Sequence, residues 1–597
     1  MTLVERPPLV VPDRIRSVPP VLAALLVAAV LHLLWWQFLA TSGGDIAAQD
    51  AWAEFARTHP GSAYNLGWYG GMHPVSYSVV SPYIMAAIGV RTSMIVAGTL
   101  SAGLLAWLAV GRREGPGRWQ VALYGAVALA GNALSGRVTF ALGTLFGLLA
   151  LCVVFAWPWE RPARSARSAR SARWGRGVLA VLASALATAS SPVAGAFLGL
   201  VAVALWVRRR RAAACALGIP PILVVAVSAA LFPFSGRQPM AWYSTILPVV
   251  MGVAVVILTP RHWRLVQAGG VLYVLAVVGA WLIPSPVGTN VSRLGLLFGG
   301  VVLVAAVALG PWRTSLVGRR YGARAAAVLL GMALITSTIW QTAYAVRDVV
   351  SSAPPASFTS DIDPLIHELQ MRDADLGRVE VVPTKSHREA AALAPHVPLA
   401  RGWNRQADAE RNPVFYRDRE LSADAYKRWL RRWAVRFVVL STAAAPDPAA
   451  ADEAELVAGG LPYLDRVWSD DQWALYEVRH PTPLVSPPAK VVAYDAAELT
   501  ITTPVAGRIV IRIADSPWLS LVDANGDPLP DVDPTEGAEA LGSGGPACLT
   551  HLDSEKSDDA TRGPRDDWLV LHAPAPGTYR IAAPYKLPRG TSCPPMP

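Results

Sequence analysis

The sequence predicts a polytopic α-helical membrane protein of about eleven transmembrane helices, followed by two C-terminal extracytoplasmic domains, one α/β and one a β-sandwich. Three observations lead there. The 597 residues are 53% hydrophobic and only 16% charged, too apolar for an ordinary soluble chain. The two classes are segregated: up to about Val346, apolar runs alternate with arginine clusters, and beyond it the composition is that of a soluble protein. All five lysines (Lys385, Lys427, Lys490, Lys556 and Lys586) lie in that second part.

Residues 1–19 read as a cytoplasmic N-terminus. The first apolar run, roughly Val21–Ala40, is long enough to span a bilayer and longer than the core of a usual signal peptide, so it reads as a retained helix. The spans are expected near 20–41, 91–111, 119–133, 138–156, 177–190, 192–207, 212–231, 243–259, 265–283, 295–310 and 325–346. Only "ATASSP" separates the fifth from the sixth. Together they make a transmembrane domain over 20–346, with a first outer loop at 42–90.

Arginine placement orients this domain. With the N-terminus inside, the cytoplasmic segments hold 22 arginines and the outer loops five: Arg57, Arg91, Arg137, Arg237 and Arg293. The net charge of +10 is therefore the positive-inside pattern and no sign of nucleic-acid binding. The basic loop "ARSARSARSARSAR" reads as a solvated segment touching anionic lipid heads. An odd number of spans puts residues 347–597 outside, giving a multi-pass protein of the plasma membrane.

Residues 347–485 mix helical stretches ("DIDPLIHELQMRD", "ADAYKRWLRRW") with strands ("RVEVVP", "VRFVVLS"), an α/β pattern. Residues 486–597 alternate in "ELTITTP" and "GRIVIRIAD" between Pro and Gly turns, a β-sandwich pattern. Cys152 and Cys215 fall in apolar runs and read as inert, whereas Cys548 and Cys593 lie in the outer part and are expected to form a disulfide. The bridge would close a loop around the acidic "HLDSEKSDDATRGPRDD" and contribute roughly 3–4 kcal/mol.

Several chemistries are excluded or disfavoured. There is no GxxxxGK[ST], and residues 1–384 contain no lysine, so the membrane part holds no P-loop. HExxH is missing, as is a nucleophile-elbow GxSxG. The spans are nearly free of ionisable groups. His32 alone sits near a midplane, where it reads as a packing residue, and this counts against a proton-coupled transporter.

The polar chemistry gathers instead in the outer loops. "GGDIAAQDAWAEFARTHPGSAYNLGWYGGMHP" opens with Asp45 and Asp50 in a helical pattern in which Asp50 and Glu54 share a face and Asp45 is displaced. A carboxylate at Asp45 suits both a helix-capping role and contact with a substrate whose tail stays in the bilayer. Arg137, Arg237 and Arg293 run against the insertion bias, which fits bidentate phosphate binding or, singly, an anchoring ion pair. Trp68, Tyr69 and His73 suit sugar stacking and hydrogen bonding or an ordinary interfacial belt. In the soluble part, Lys385, His387, Arg401, Trp403, Arg405, Gln406, Asp408 and Tyr416 suit a glycan surface or, more simply, a hydrogen-bonded domain core.

A first span, an outer loop with an early Asp and a juxtamembrane helix, many further spans and an outer C-terminal domain resemble the GT-C superfamily of integral-membrane glycosyltransferases. The segments "GGDIAAQDAWAEF…YNLGWYGGMHPVSYSVVSPYIMAAIG" and "VEVVPTKSHREAAALAPHVPLARGWNRQADAERNPVFY" also resemble a poorly characterised group of bacterial polytopic proteins with a GGD first loop. The resemblance implies sugar transfer at the outer face from a polyprenyl-phosphate-linked donor to a cell-envelope glycan or lipid acceptor. Asp45 takes the place of the family's first-loop acid, although the adjacent acid pair common there is missing and Asp50 stands five residues on. A divalent ion (Mg or Mn) on Asp45 and Asp50 is compatible with this reading and not demanded by it. The alternatives are a transporter or flippase of an anionic lipid, and a non-catalytic envelope-assembly scaffold.

Overall fold

The computed structural model describes residues 13–40, 44–75, 77–110, 117–156, 166–234, 236–352, 362–416, 420–530, 546–552, 567–587 and 589–593. Of the acidic segment expected between the two C-terminal cysteines, 551–567, residues 553–566 lie outside the described residues. The chain is a polytopic helical membrane protein with β-rich C-terminal domains, and it divides into two compact units.

The first unit takes in Met1–Ala40, Arg91–Val227 and Gln238–Val349. All eleven apolar runs are helical. The first four are Asp13–Phe38, Val90–Val110, Gly117–Leu134 and Val138–Leu151, the last running on as a π-helix over Cys152–Ala156. Next come Ala166–Ser190, Pro192–Val207, Arg211–Leu231, Ile246–Leu258 and Arg264–Leu282. Gly288–Leu309 and Leu316–Ser352 complete the set. Among the described residues, seven helices are long and apolar enough to cross a membrane, and Pro192–Val207 and Trp242–Leu258 are shorter apolar ones. The fifth and sixth helices separate at one residue: Ser191 is extended (φ −156°, ψ 114°) and Pro192 opens the next helix, where its missing N–H costs nothing.

Small residues set the packing, as bilayer-buried helices require. A Cβ on Gly143 would meet the Ser191 and Ala194 Cβ atoms at 2.7 and 2.8 Å. The His32 ring is fully buried over Gly98, and its Nδ1 bonds the Ala28 carbonyl at 2.7 Å, so its role is packing.

The second unit takes in Thr41–Val90, Ser228–Arg237 and Val350–Pro597. Its α/β part is a mixed sheet of β1 (Arg378–Val381), β2 (Val435–Ser441), β3 (Leu464–Ser469) and β4 (Trp473–Val478) in the order β1-β2-β4-β3. β1 and β2 are parallel, so the chain crosses over between them through helices Arg388–Leu393, Arg405–Arg411 and Ala423–Arg432.

The sandwich holds β5 (Lys490–Tyr494), β6 (Glu498–Thr503), β7 (Gly507–Ala514), β8 (Ser520–Val522), β9 (Cys548–Leu552), β10 (Trp568–Ala573) and β11 (Gly577–Ala582). They form the sheets β7-β10-β9 and β5-β6-β11-β8. The alternation read from the sequence is the burial pattern: Leu499 and Ile501 of β6, with Ile509, Ile511 and Ile513 of β7, fill the core. A disulfide joins Cys548 to Cys593 with Cα atoms 4.9 Å apart, and the Cys593 N–H bonds the Leu549 carbonyl.

The first loop departs from expectation. Residues 42–90, read from the sequence as part of the membrane domain, fold with the C-terminal domains. The Ala63 N–H donates to Ala583 O (2.7 Å), the Leu66 N–H to Ala496 O (2.7 Å) and the Leu399 N–H to Gly67 O (2.9 Å). Ala63, Tyr64 and Leu66 lie in the sandwich core, and Trp68, Tyr69 and Met72 in the α/β core. The loop supplies apolar volume that the C-terminal sequence lacks.

Candidate functional site

The segment before Gly44 leads into helix Gly44–Thr58, with Asp45 in its first turn. The partial positive charge of a helix N-terminus favours a carboxylate there. One face of the helix is buried through Ile46, Ala47, Gln49, Ala53, Phe55 and Ala56. Asp50 lies five residues on, about 140° around and about 7.5 Å along the axis. Two carboxylates so placed do not converge on one cation, and no group of three or more His, Cys, Asp or Glu suited to a metal occurs among the described residues. The residues therefore do not fit the divalent ion considered above. Glu54 is taken up by Arg57 at 2.6 Å on the exposed side.

The α/β domain holds this helix at two points. The Trp52 ring meets Trp68 edge-on at 5.1 Å, and the Trp403 indole N–H donates to the Gly44 carbonyl. Trp403 is itself stacked on His387, with centroids 3.4 Å apart and planes 8° from parallel. Nε2 of His387 lies 3.4 Å from Asp447, and its Nδ1 is 3.9 Å from Glu389. Burial alone would raise the Asp447 carboxyl. Hydrogen bonds from His387 and the Ala449 N–H, with the charges of His387 and Arg405, bring it below its usual value.

Trp68 and Tyr69 are core residues, 1% and 0% exposed. The Trp68 indole donates to Ala390 O at 3.2 Å, and a Cβ on Gly402 would overlap its ring. The Tyr69 hydroxyl donates to Gly402 O (2.7 Å) and accepts from the Asn404 N–H (3.1 Å). Their ring faces are covered by protein, which leaves none for a sugar. The reason is local: Tyr69, Gly70 and Gly71 all take positive φ (55°, 67° and 121°), turning both rings inward. The Arg411 guanidinium clamps that turn through Tyr69 O (2.8 Å) and Gly71 O (2.6 Å).

His73 is also buried. It bonds Ala63 O through Nδ1 at 3.0 Å, lies 3.4 Å from Ser516 Oγ through Nε2, and packs edge-on against Tyr64 and Phe232. Burial pushes its imidazole down to about 4, so it is neutral at pH 7. It lines a cleft of about 80 Å³ with Tyr64, Phe234, Glu410, Arg411 and Asp515, room for a few waters or one small polar group.

The three arginines expected in outer loops differ. Arg137 pairs with Asp348 at 3.6 Å, and Ser135 Oγ donates to the same carboxylate at 2.5 Å. Arg237 is exposed. Arg293 lies over the Phe140 ring at 5.2 Å. It directly precedes Leu294 and Gly295, which line an apolar cavity of about 360 Å³ inside the helical unit, walled also by Gly143, Gly252, Gly270 and Phe298. The helix is π-wound over Gly295–Gly299 at that wall. Asp45, Asp50, Trp68, Tyr69, His73 and Arg237 belong to the second unit, and Arg137 and Arg293 to the first.

In the soluble part, Arg401 makes paired bonds to Asp408 (3.0 and 2.7 Å), one to Glu453 (2.8 Å) and an ion pair with Glu380 (3.6 Å). Asn412 and Tyr416 donate to Asp408 at 2.9 and 2.6 Å. All of this is buried or nearly so, and it forms the inside of the domain rather than a glycan surface. Burial, and then the charge of Glu453, push the Glu380 carboxyl well above the usual carboxylate range. Sequence reading missed Glu380 and Glu453. A signal for Glu380 was present, a lone acid inside the apolar strand "RVEVV". The Trp403–Gly44 bond joins residues 359 positions apart and leaves no sequence signal.

A family model described as a domain of unknown function, DUF8823, matches residues 486–596. No curated protein matches the sequence. Among solved structures, the chain is similar to the arabinofuranosyltransferase AftD from Mycobacteria, at 13% identity and TM-score 0.46, covering 94% of this chain and 58% of that one. It is similar to the Archaeoglobus fulgidus oligosaccharyltransferase, at 9% identity and TM-score 0.44, covering 71% and 69%. It is also similar to ArnT from Cupriavidus metallidurans, at 16% identity and TM-score 0.42, covering 77% and 98%. The chain thus spans 58% of the length of the mycobacterial protein.

Proposed function

We propose that this protein is a membrane glycosyltransferase that moves a sugar from a polyprenyl-phosphate-linked donor to a cell-envelope glycan or lipid acceptor at the outer face. The observation that carries the reading is the apolar cavity of about 360 Å³ in the helical unit with Arg293 next to its lining residues. An isoprenoid tail needs an apolar slot within the membrane, and its phosphate needs a guanidinium beside that slot. Arg293, beside that slot, is the phosphate partner in this reading, with exposed Arg237 second.

Asp45 acts as the general base. Its carboxylate takes the proton of the acceptor hydroxyl as that oxygen attacks the anomeric carbon. The bond from that carbon to the phosphate oxygen breaks, and the polyprenyl phosphate leaves with the electron pair. Arg293 offsets the charge growing on the phosphate. The donor bond supplies the driving force, so the absence of a nucleotide-binding motif is no obstacle. Membrane lipids and the two substrates are the partners.

The test uses the full chain in sealed lipid vesicles with radiolabelled polyprenyl-phosphate-linked mannose, arabinofuranose and glucose, offered separately with an envelope glycan extract as acceptor. Wild type should transfer label, and Asp45→Asn should lose at least about 100-fold in kcat. Transfer that persists unchanged in Asp45→Asn removes Asp45 from the mechanism. A labelled lipid that crosses the bilayer with its mass unchanged makes the protein a flippase.

A further inference from the structure

The geometry points to Trp403 as the positioning residue for Asp45: an indole of the α/β domain holds the backbone of Gly44 and thereby fixes the first turn of the helix that presents the carboxylate. This rests on the reading of Asp45 as the base.

Ile46 and Ala47 bury one side of that turn. At its start the Trp403 N–H adds a polar hold by donating to the Gly44 carbonyl, one residue before Asp45. The ring that carries the N–H is itself held. One face lies flat on His387, and His387 is braced by Asp447 at 3.4 Å. Its backbone sits at φ +53°, a conformation a histidine keeps only where its surroundings enforce it. The brace continues inward, because Glu389 beside His387 accepts from Thr384 Oγ1 at 2.6 Å and from the Thr384 N–H at 3.1 Å. A chain of fixed groups thus runs from the sheet domain to the peptide next to the base. His387 covers one face of this indole and its N–H is committed to the backbone. Transfer chemistry is sensitive to such placement, since small errors in the position of a base cost orders of magnitude in rate.

Two replacements separate positioning from packing. Trp403→Phe keeps an aromatic ring on His387 and removes the donor. β-(3-benzothienyl)alanine at 403 keeps the full bicyclic shape and replaces only the N–H by sulfur, so it tests the bond even if Trp403→Phe unfolds. Hydrogen–deuterium exchange is read over 44–58 and over the control strand Val435–Ser441, with transfer measured from the same three labelled donors. The expected result is amide exchange about 5–10-fold faster at 45–50 with the control strand unchanged. In the same samples kcat should fall about 10–100-fold with the donor KM unchanged. Unchanged exchange in the benzothienyl protein overturns the proposal. So does unchanged kcat there while Asp45→Asn is inactive. If Asp45→Asn is fully active, the proposed base is wrong and positioning for catalysis falls with it, while the exchange data still report whether the indole holds the helix.

Discussion

Arg401 faces three carboxylates in a space closed to water, and one guanidinium cannot neutralise Glu380, Asp408 and Glu453 together. Asp408 takes the paired bonds, and Glu380 answers by holding its proton. The sign of the pH effect follows. The folded domain keeps a proton that the unfolded chain releases above its ordinary value near 4.3, so this site's contribution is complete below that pH and is lost as pH rises toward the raised folded value. Glu380→Gln supplies a neutral group that needs no proton. The variant should gain on wild type by up to about 1.4 kcal/mol per pH unit above roughly pH 4.5. Thermal unfolding of both proteins at pH 5 and pH 8 checks this, and an equal difference at the two pH values would show that Glu380 is ionised in the fold. His73 acts in the opposite sense, because its lowered value makes protonation on acidification favour unfolding, so only the comparison of variant with wild type isolates Glu380.

At the scale of elements, the turn at Tyr69–Gly71 bears the heaviest local constraint. Gly71 sits at φ +121°, and a Cβ there would overlap the Tyr64 ring. Gly71→Ala should cost roughly 2–4 kcal/mol, from backbone strain and overpacking together. A fall in denaturant midpoint for the second unit, read by tryptophan fluorescence, measures it, and an unchanged midpoint would mean that Tyr64 can swing away. The same turn shows what the sequence could tell. The eleven apolar runs and the alternation of β6 and β7 were legible because their signals are local: a run of apolar residues or a period of two. Trp68 and Tyr69 were not. Aromatics beside glycines look alike whether they line a membrane surface or a core, and their partners, Ala390 and Gly402, stand more than 300 residues away. Asp45 was legible as a first-turn acid, while the indole that holds its neighbour was not.

For the whole molecule, the Cys548–Cys593 bridge bears on the expected topology. A disulfide belongs to an oxidising compartment, so it fits a C-terminal part outside the cytoplasm. In intact cells both thiols should resist a membrane-impermeant maleimide until a reductant is added, and reduction should lower the stability of the sandwich by roughly 3–4 kcal/mol. Labelling of both cysteines without reductant would count against that orientation. The first loop has a consequence for the timing of synthesis. Residues 63–72 complete the cores of both C-terminal domains, yet about 500 residues must still be made before their last partner, Ala583, exists. At about 5–20 residues per second Tyr64 waits roughly half a minute or longer for the sandwich that buries it. Trp68 and Tyr69 must wait for the α/β strands up to Val478, and Tyr64 for the sandwich strands after them, so a nascent chain interrupted before these are made carries a sticky loop that quality control can recognise.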